Sequence, residues 1–194
     1  MFLKNLTNKN IILASKSPRR QRLLKDLGIP FNIHPADIDE VYPDHLKAGE
    51  IPVFLAEKKA LSLQNLLQED TIIISADTIV WMDNKTLDKP DNRAEAIAML
   101  RKLSGRKHHV YSGVCILTKQ GCTSFYSCTN VHFKKLSDDE IHHYIETCKP
   151  FDKAGAYGIQ EWIGYIGIEK LEGSYFNVVG LPVQQLYEEL KKIC

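Results

Sequence analysis

The strongest constraint on the fold is a six-residue run, Thr71-Ile-Ile-Ile-Ser-Ala76. It is rich in β-branched residues and almost continuously apolar, a pattern typical of a central strand that is covered on both faces. Helical patterns lie on either side of it along the chain, and one begins at Ser17-Pro18, a favoured N-cap and first helical residue. Because strands and helices alternate, the sequence predicts an α/β fold with two lobes and a cleft between them.

Periodicity and turn residues predict the remaining elements. The sequence predicts helices over residues 52–68, 93–103 and 182–193. Hairpin turns are predicted at residues 83–85 and 119–121, and Ser137 with Glu140 has the spacing of a capping box. No stretch is rich enough in Pro, Gly or Ser to act as a linker, so we expect residues 1–194 to form a single domain.

The charge balance excludes several classes of protein. Lysine and arginine number 25 against 24 acidic residues, a formal net charge of +1, whereas nucleic-acid coat proteins and polybasic membrane-surface proteins carry a positive excess. No run of about 18 apolar residues is present, and the N-terminal apolar run is too short for a signal peptide. The five cysteines form no C-x-x-C pair and are expected to be reduced thiols. We therefore expect a cytoplasmic protein that contacts neither membrane nor nucleic acid directly.

The segment Ser15-Lys-Ser-Pro-Arg-Arg20 carries the first chemical signal. Arg19 and Arg20 occupy the first turn of the predicted helix, where the positive end of the helix dipole favours acidic residues instead. A bound anion would remove this conflict, because free backbone N–H groups, the hydroxyls of Ser15 and Ser17 and the two guanidinium groups all bind phosphate oxygens. The alternative is that both arginines point into solvent. The preceding strand and the Ser-x-Ser-Pro context favour a phosphate site.

Further candidates are two carboxylates and two lysines. Asp77 follows the 71–76 run where we expect the strand to end, so it either meets a ligand there or is only a turn residue. Glu40 belongs to an acidic loop that is either a ligand set for a hard metal or a solvated surface. Lys59 lies at the border of an apolar helical stripe, from which its ammonium group reaches solvent or projects into the cleft. Lys89 has the same two interpretations.

Six blocks in this sequence resemble the Maf family, the septum-formation inhibitor homologues. They follow one another from about residue 11 to residue 183, nearly the whole chain. In chain order they are Leu13-Ala-Ser-Lys-Ser-Pro-Arg-Arg20, Ala76-Asp-Thr78, Lys89-Pro90, Met99-Leu100 with Leu103-Ser-Gly105, Lys153-Ala-Gly-Ala-Tyr-Gly-Ile-Gln160 and Gly173-Ser-Tyr-Phe-Asn-Val-Val-Gly-Leu-Pro182. Each block alone is weak, whereas six in order are specific.

The resemblance implies a fold, a reaction and a set of site residues. The fold would be that of the related Ham1-type enzymes, with a mixed central sheet flanked by helices. The reaction would be hydrolysis of a nucleoside triphosphate between its α and β phosphates, with Mg²⁺ or Mn²⁺ as cofactor. Asp77 would be the catalytic proton acceptor or a metal-linked carboxylate, and Glu40 would hold the metal with it. The implied substrate-binding residues are Ser15, Arg19, Arg20, Lys59, Thr78, Lys89 and Gln160.

Three of these residues also favour one branch of the family. Arg19, Thr78 and Gln160 resemble the branch that acts on dTTP and UTP, whereas the 7-methyl-GTP branch has a tryptophan in place of the first arginine. The Gln160 amide both donates and accepts, so it can match the N3–H and carbonyl edge of uracil or thymine, which cytosine lacks. The resemblance further implies a role in preventing incorporation of modified nucleotides, a link to cell division arrest, and a homodimer.

Two alternatives stay open at the level of sequence. The same reaction could act on another base, such as 7-methyl-GTP or a modified nucleotide. A non-catalytic, nucleotide-binding regulator of septum formation is the second, although such a sensor would be expected to lack the acidic residues that Asp77 and Glu40 supply. Direct DNA binding is not expected, since the chain has no basic stripe and no helix-turn-helix with base-reading residues.

Overall fold

The computed structural model describes Leu6 and residues 8–193, whose strands form one seven-stranded sheet. The sheet order is β2-β1-β3-β5-β6-β7, and β4 pairs with β3 outside this path. β1 runs parallel to β2 and β3, while the other pairs are antiparallel, so the expected mixed sheet is confirmed. The strands are β1 Asn10–Leu13, β2 Asn32–Ile33, β3 Thr71–Met82, β4 Lys85–Leu87, β5 Lys107–Thr118, β6 Gly121–Phe133 and β7 Ile168–Glu172.

Helices flank this sheet, and three of them agree closely with the sequence prediction. The helices are α1 Pro18–Asp26, α2 Glu50–Leu61, α3 Arg93–Leu103, α4 Asp138–Cys148, α5 Trp162–Gly167, α6 Tyr175–Val179 and α7 Val183–Ile193, with short 3₁₀ helices at Gln64–Leu66 and Ala154–Ala156. Helices α3 and α7 begin and end within a residue or two of their predicted bounds, and α1 begins at the predicted Pro18. The predicted capping box of Ser137 and Glu140 is present at the start of α4. Within the described part of the chain, no helix is long and apolar enough to cross a membrane.

Strand β3 is the predicted central strand, but it is longer than predicted. Residues 71–76 are buried on both faces, as predicted. The expectation that the strand ends at Asp77 is wrong, because β5 pairs with β3 from Ile73 to Trp81 and carries it on to Met82. The parallel pairing with β1 stops earlier, at Ile74. Asp77 therefore lies inside a strand, just beyond the last residue that β1 covers.

Helix α2 is shorter than the predicted helix over residues 52–68. It ends at Leu61, and a 3₁₀ helix follows. The apolar stripe runs on past this break, since Leu63, Leu66 and Leu67 pack against the same core cluster as Ala56 and Ala60. Periodicity alone therefore did not reveal the end of the helix. The helix lies close upon the sheet, since a Cβ atom on Gly113 of β5 would lie 2.2 Å from the Pro52 carbonyl carbon. This close approach places Lys59 beside β3.

The turns and cysteines agree with the sequence. The turn between β3 and β4 uses Asp83 and Asn84 with φ of 53° and 59°, which suits a tight hairpin. The turn between β5 and β6 is one residue tighter than predicted, because Gly121 already belongs to β6. Four cysteines are free thiols: Cys115, Cys122, Cys128 and Cys148. Cys194 lies outside the described residues.

Candidate active site

A cleft of about 840 Å³ opens where β1 ends and α1 begins. Its walls come from the β1–α1 connection, helix α2, strand β3 and the segment over residues 152–161. The structure brings every predicted site residue to this cleft: Ser15, Arg19, Arg20, Glu40, Lys59, Asp77, Thr78, Lys89 and Gln160. Residues far apart in sequence thus line one cleft, and the chemical role of each stays a prediction.

The floor of the cleft holds a lysine between two carboxylates. Lys59 Nζ donates to Asp77 Oδ1 at 2.5 Å and lies 2.6 Å from Glu40 Oε1. Lys59 and Asp77 are each only 8% exposed, so this pair is nearly out of water. Burial raises the pKa of the Glu40 carboxyl, but the hydrogen bond and charge of Lys59 outweigh it and bring the pKa below its usual 4.5. The second interpretation of Lys59, projection into the cleft, is the one the structure supports.

Arg20 is fixed by contacts on both sides of its guanidinium group. Its Nε donates to the Gly180 carbonyl at 2.8 Å, and Nη2 donates to Thr78 Oγ1 at 3.0 Å. Burial lowers the pKa of Arg20, and the charge of Asp77 opposes that shift. Thr78 in turn lies 2.8 Å from Ser112 Oγ. Arg20 is therefore a pre-oriented cation rather than a solvent-exposed one.

The first turn of α1 presents the second arginine and the serines. Ser17 caps the helix, since its hydroxyl accepts from the Arg20 backbone N–H at 3.5 Å. The Ser15 hydroxyl accepts from the Ser17 backbone N–H at 3.2 Å and faces Arg20 Nη1 at 3.5 Å. Arg19 Nη1 lies 3.4 Å from Asp152 Oδ2 across the cleft. No acidic residue occupies this turn, so the local excess of positive charge predicted from the sequence is present.

Lys89 and Gln160 line the cleft more loosely. Lys89 Nζ lies 3.9 Å from Glu40 Oε2, and most of its side chain is exposed. Gln160 is exposed and stands among residues 158–161, which all line the cleft. Both side chains therefore have room to reorient around a ligand.

Sequence reasoning did not single out three charged residues in the cleft wall, which are Asp152, Lys153 and Glu161. Lys153 Nζ lies 2.5 Å from Asp152 Oδ1 and 2.8 Å from Glu161 Oε1. Burial raises the pKa of Asp152, but Lys153 and Arg19 together bring it below its usual value. Lys153 is the first residue of the block that ends at Gln160. The charged residues at the two ends of this glycine-rich block were the sequence signal that could have identified them.

The arrangement suits a polyanionic ligand together with a cation. Among the described residues, no group of three or more His, Cys, Asp or Glu side chains could hold a metal ion. Glu40 and Asp77 do converge on one cationic centre, and two carboxylates are a common protein contribution to Mg²⁺ when phosphate oxygens and water complete the shell. Arginine and lysine groups facing the same space would neutralise phosphate charge. The fold and cleft together define an α/β protein whose charged groups suit a phosphorylated ligand.

Comparison with known proteins assigns the family. A family model described as Maf-like protein matches residues 10–193. The chain therefore belongs to the Maf family, as the six sequence blocks imply. It is 54% identical over 193 residues to a protein of Phocaeicola vulgatus named dTTP/UTP pyrophosphatase, with 99% of this chain and 100% of that protein covered. A Flavobacterium johnsoniae protein of the same name is 49% identical over 190 residues, with 98% of each covered.

A solved structure also resembles part of the chain. The Staphylococcus aureus Ham1 protein superposes with a TM-score of 0.39 and 15% identity, covering 64% of this chain and 72% of that one. A superposition this partial carries no conclusion about activity.

Proposed function

We propose that this protein is a nucleoside triphosphate pyrophosphatase that hydrolyses dTTP and UTP to the monophosphate and pyrophosphate. The observation that carries the proposal is the convergence of four cations and two carboxylates in one cleft. These are Arg19, Arg20, Lys59 and Lys89 with Glu40 and Asp77. The names of the full-length relatives support the same substrates.

The four cations suit the triphosphate part of such a substrate. Phosphoanhydride hydrolysis requires mainly that water be held in line with the α-phosphorus and that charge on the leaving pyrophosphate be neutralised. Arg20 would provide a fixed guanidinium group, because its contacts to Gly180 and Thr78 already orient it. Arg19 and Lys89 hold looser ion pairs with Asp152 and Glu40. Phosphate oxygens would replace those carboxylates when the substrate binds.

Asp77 would act on the attacking water. It is the nearly buried carboxylate at the cleft floor and accepts a short hydrogen bond from Lys59. This contact holds the carboxylate in a fixed orientation, as a general base requires. A carboxylate that only holds a metal needs the same fixed orientation, so both roles predicted for Asp77 remain compatible with the geometry.

We propose Mg²⁺ or Mn²⁺ as the cofactor, held by Glu40 and Asp77 with substrate oxygens. Both carboxylates face the Lys59 ammonium group, so a divalent cation would take the place of that group between them. When bound, the ion would lower the pKa of a coordinated water and offset phosphate charge. Lys59 would then move from between the carboxylates towards the phosphates.

Gln160 is proposed to select the base. Its amide lies on the cleft wall, where it would donate to a carbonyl oxygen of uracil or thymine and accept from N3–H, an edge that cytosine lacks. Further proposals are a cytoplasmic location, a homodimer without direct nucleic-acid contact, and clearance of modified nucleotides with an effect on cell division. The free thiols agree with a reducing compartment.

A pyrophosphate-release screen tests the proposed function. The purified chain is incubated with canonical triphosphates, 7-methyl-GTP and other modified nucleotides, in Mg²⁺, in Mn²⁺ and in EDTA. We expect dTTP and UTP to be hydrolysed fastest, and only with a metal. Fastest release from 7-methyl-GTP or a modified nucleotide would assign another substrate to the same reaction. Release from no substrate would favour the non-catalytic regulator of septum formation.

A further inference from the structure

The turn that carries Gln160 is held by a buried tyrosine. Tyr144, a fully buried side chain of α4, donates its hydroxyl proton to Glu161 Oε2 and accepts from the Gly158 backbone N–H at 3.0 Å. One hydroxyl group thus connects both ends of the turn. Burial and the Glu161 carboxylate raise the pKa of Tyr144, so the hydroxyl remains a donor throughout the range in which enzymes work.

Glu161 is also tied to the cleft wall through Lys153. Lys153 Nζ lies 2.8 Å from Glu161 Oε1, so both carboxylate oxygens of Glu161 are engaged. The Glu161 backbone N–H donates to the Gly158 carbonyl at 3.0 Å and closes the turn. A Cβ atom on Gly158 would lie 2.9 Å from the Glu161 carboxyl carbon. Little space therefore remains for this turn to shift.

The segment after the turn is equally confined. The Gly164 N–H donates to the Glu161 carbonyl at 2.8 Å, and a Cβ atom on Gly164 would lie 1.9 Å from the Ile159 carbonyl oxygen. Gln160 is exposed to the cleft between these fixed neighbours. Because the backbone of this turn is already ordered, the entropy lost on binding is confined to the side chain of Gln160.

We propose that Tyr144, Glu161 and Lys153 are positioning residues that fix the backbone turn carrying Gln160 and thereby set the preference for uracil and thymine. This inference rests on the proposed function and concerns recognition of the base. Loss of Tyr144 or Glu161 should weaken discrimination between bases, because a misplaced amide no longer pairs selectively, while the residues of α1 and α2 that face the phosphates keep their places.

The test compares base selectivity in single and double variants. The quantity measured is the ratio of kcat/KM for UTP to kcat/KM for CTP. Tyr144→Phe should lower this ratio by about fivefold, the size of one lost hydrogen bond, and Glu161→Gln should lower it in the same direction. In a Gln160→Ala background, Tyr144→Phe should change the ratio by less than about twofold, because a residue acting through Gln160 has no further effect once the amide is gone.

Matched controls and a folding check keep the result interpretable. Tyr165→Phe and Glu169→Gln change an exposed tyrosine and an exposed glutamate outside the turn and should leave the ratio unchanged. Thermal unfolding shows whether each variant is folded, and Glu161→Gln decides the question if Tyr144→Phe fails to fold.

Three outcomes would overturn the inference, and only one also removes the proposed function. A ratio that stays at the wild-type value in folded Tyr144→Phe and Glu161→Gln refutes positioning. An equal fall in the Gln160→Ala background shows that Tyr144 acts on selectivity without Gln160. If the wild-type protein releases pyrophosphate from no triphosphate, the proposed function fails, and the inference with it.

Discussion

Replacing Lys59 with methionine should destabilise the fold in a pH-dependent manner. Methionine retains most of the aliphatic stem but removes the ammonium group that separates Asp77 from Glu40. The side chains of Lys59 and Asp77 are 11% and 12% exposed, and removing one partner of a buried ion pair costs about 3–5 kcal/mol. Glu40 is half-exposed, so solvent screens its share, and we take the lower limit of about 3 kcal/mol at pH 7.

The sign of the pH dependence follows from Glu40. Its pKa in the folded protein is below 4.5 chiefly because Lys59 outweighs the effect of burial. The stability that this ion pair provides is fully present above pH 4.5 and is lost as the pH falls through the lowered pKa. The variant lacks that contribution at every pH. The difference between wild type and Lys59→Met should therefore shrink below pH 4.5.

Urea unfolding followed by tryptophan fluorescence measures this difference. Lys58→Met is the matched control, because Lys58 lies beside Lys59 on the same helix and its Nζ donates to the Asp39 and Val41 carbonyls, at 2.7 and 3.4 Å. Divalent cations should stabilise Lys59→Met by about 2.7 kcal/mol at a hundredfold excess over its Kd, and wild type by less. The reasoning is refuted if Lys59→Met is as stable as Lys58→Met at pH 7, or if its deficit stays constant as the pH falls through the lowered pKa of Glu40.

Two further substitutions test the cleft wall and the helix that covers the sheet. Arg20→Lys removes the forked contacts, including the 2.8 Å bond to the Gly180 carbonyl, so it should cost about 1–3 kcal/mol and lower kcat/KM at least tenfold; wild-type kinetics would show that a point charge suffices. Gly113→Ala places a methyl group 2.2 Å from the Pro52 carbonyl carbon, so it should cost about 3 kcal/mol or more in thermal unfolding. Wild-type stability would mean that α2 does not lie so close to β5.

Local pattern predicted those parts of the fold whose signals are themselves local. The residues 71–76 form a buried central strand because their side chains are apolar on both faces. The bounds of α3 and the capping box of α4 were predictable because caps and helical periodicity depend on residues close together in the sequence. Asp77 was wrongly predicted to lie at a strand end, because the length of this strand is not determined by the local sequence. The length of β3 depends on pairing with β5, more than thirty residues further along the chain.

In the candidate site, too, local features were predictable from the sequence and long-range contacts were not. The helical stripe placed Lys59 at the border of the apolar face, and the structure buries it there. Its simultaneous contacts with Glu40 and Asp77 depend on three segments that only the fold brings together. Lys153 and Glu161 were missed because no spacing rule connects them to Tyr144. Their contacts with each other and with Tyr144 form only when the chain is folded.

The most direct test of the central claim is the position of bond cleavage in UTP and dTTP hydrolysis. The reaction is run in ¹⁸O-labelled water with Mg²⁺ or Mn²⁺, and the products of wild type and of Asp77→Asn are analysed by mass spectrometry. The account predicts one labelled monophosphate for each unlabelled pyrophosphate from wild type, and a loss of at least about a hundredfold in rate for Asp77→Asn. Label in the pyrophosphate, orthophosphate as the first product, or an unchanged rate for Asp77→Asn would contradict it.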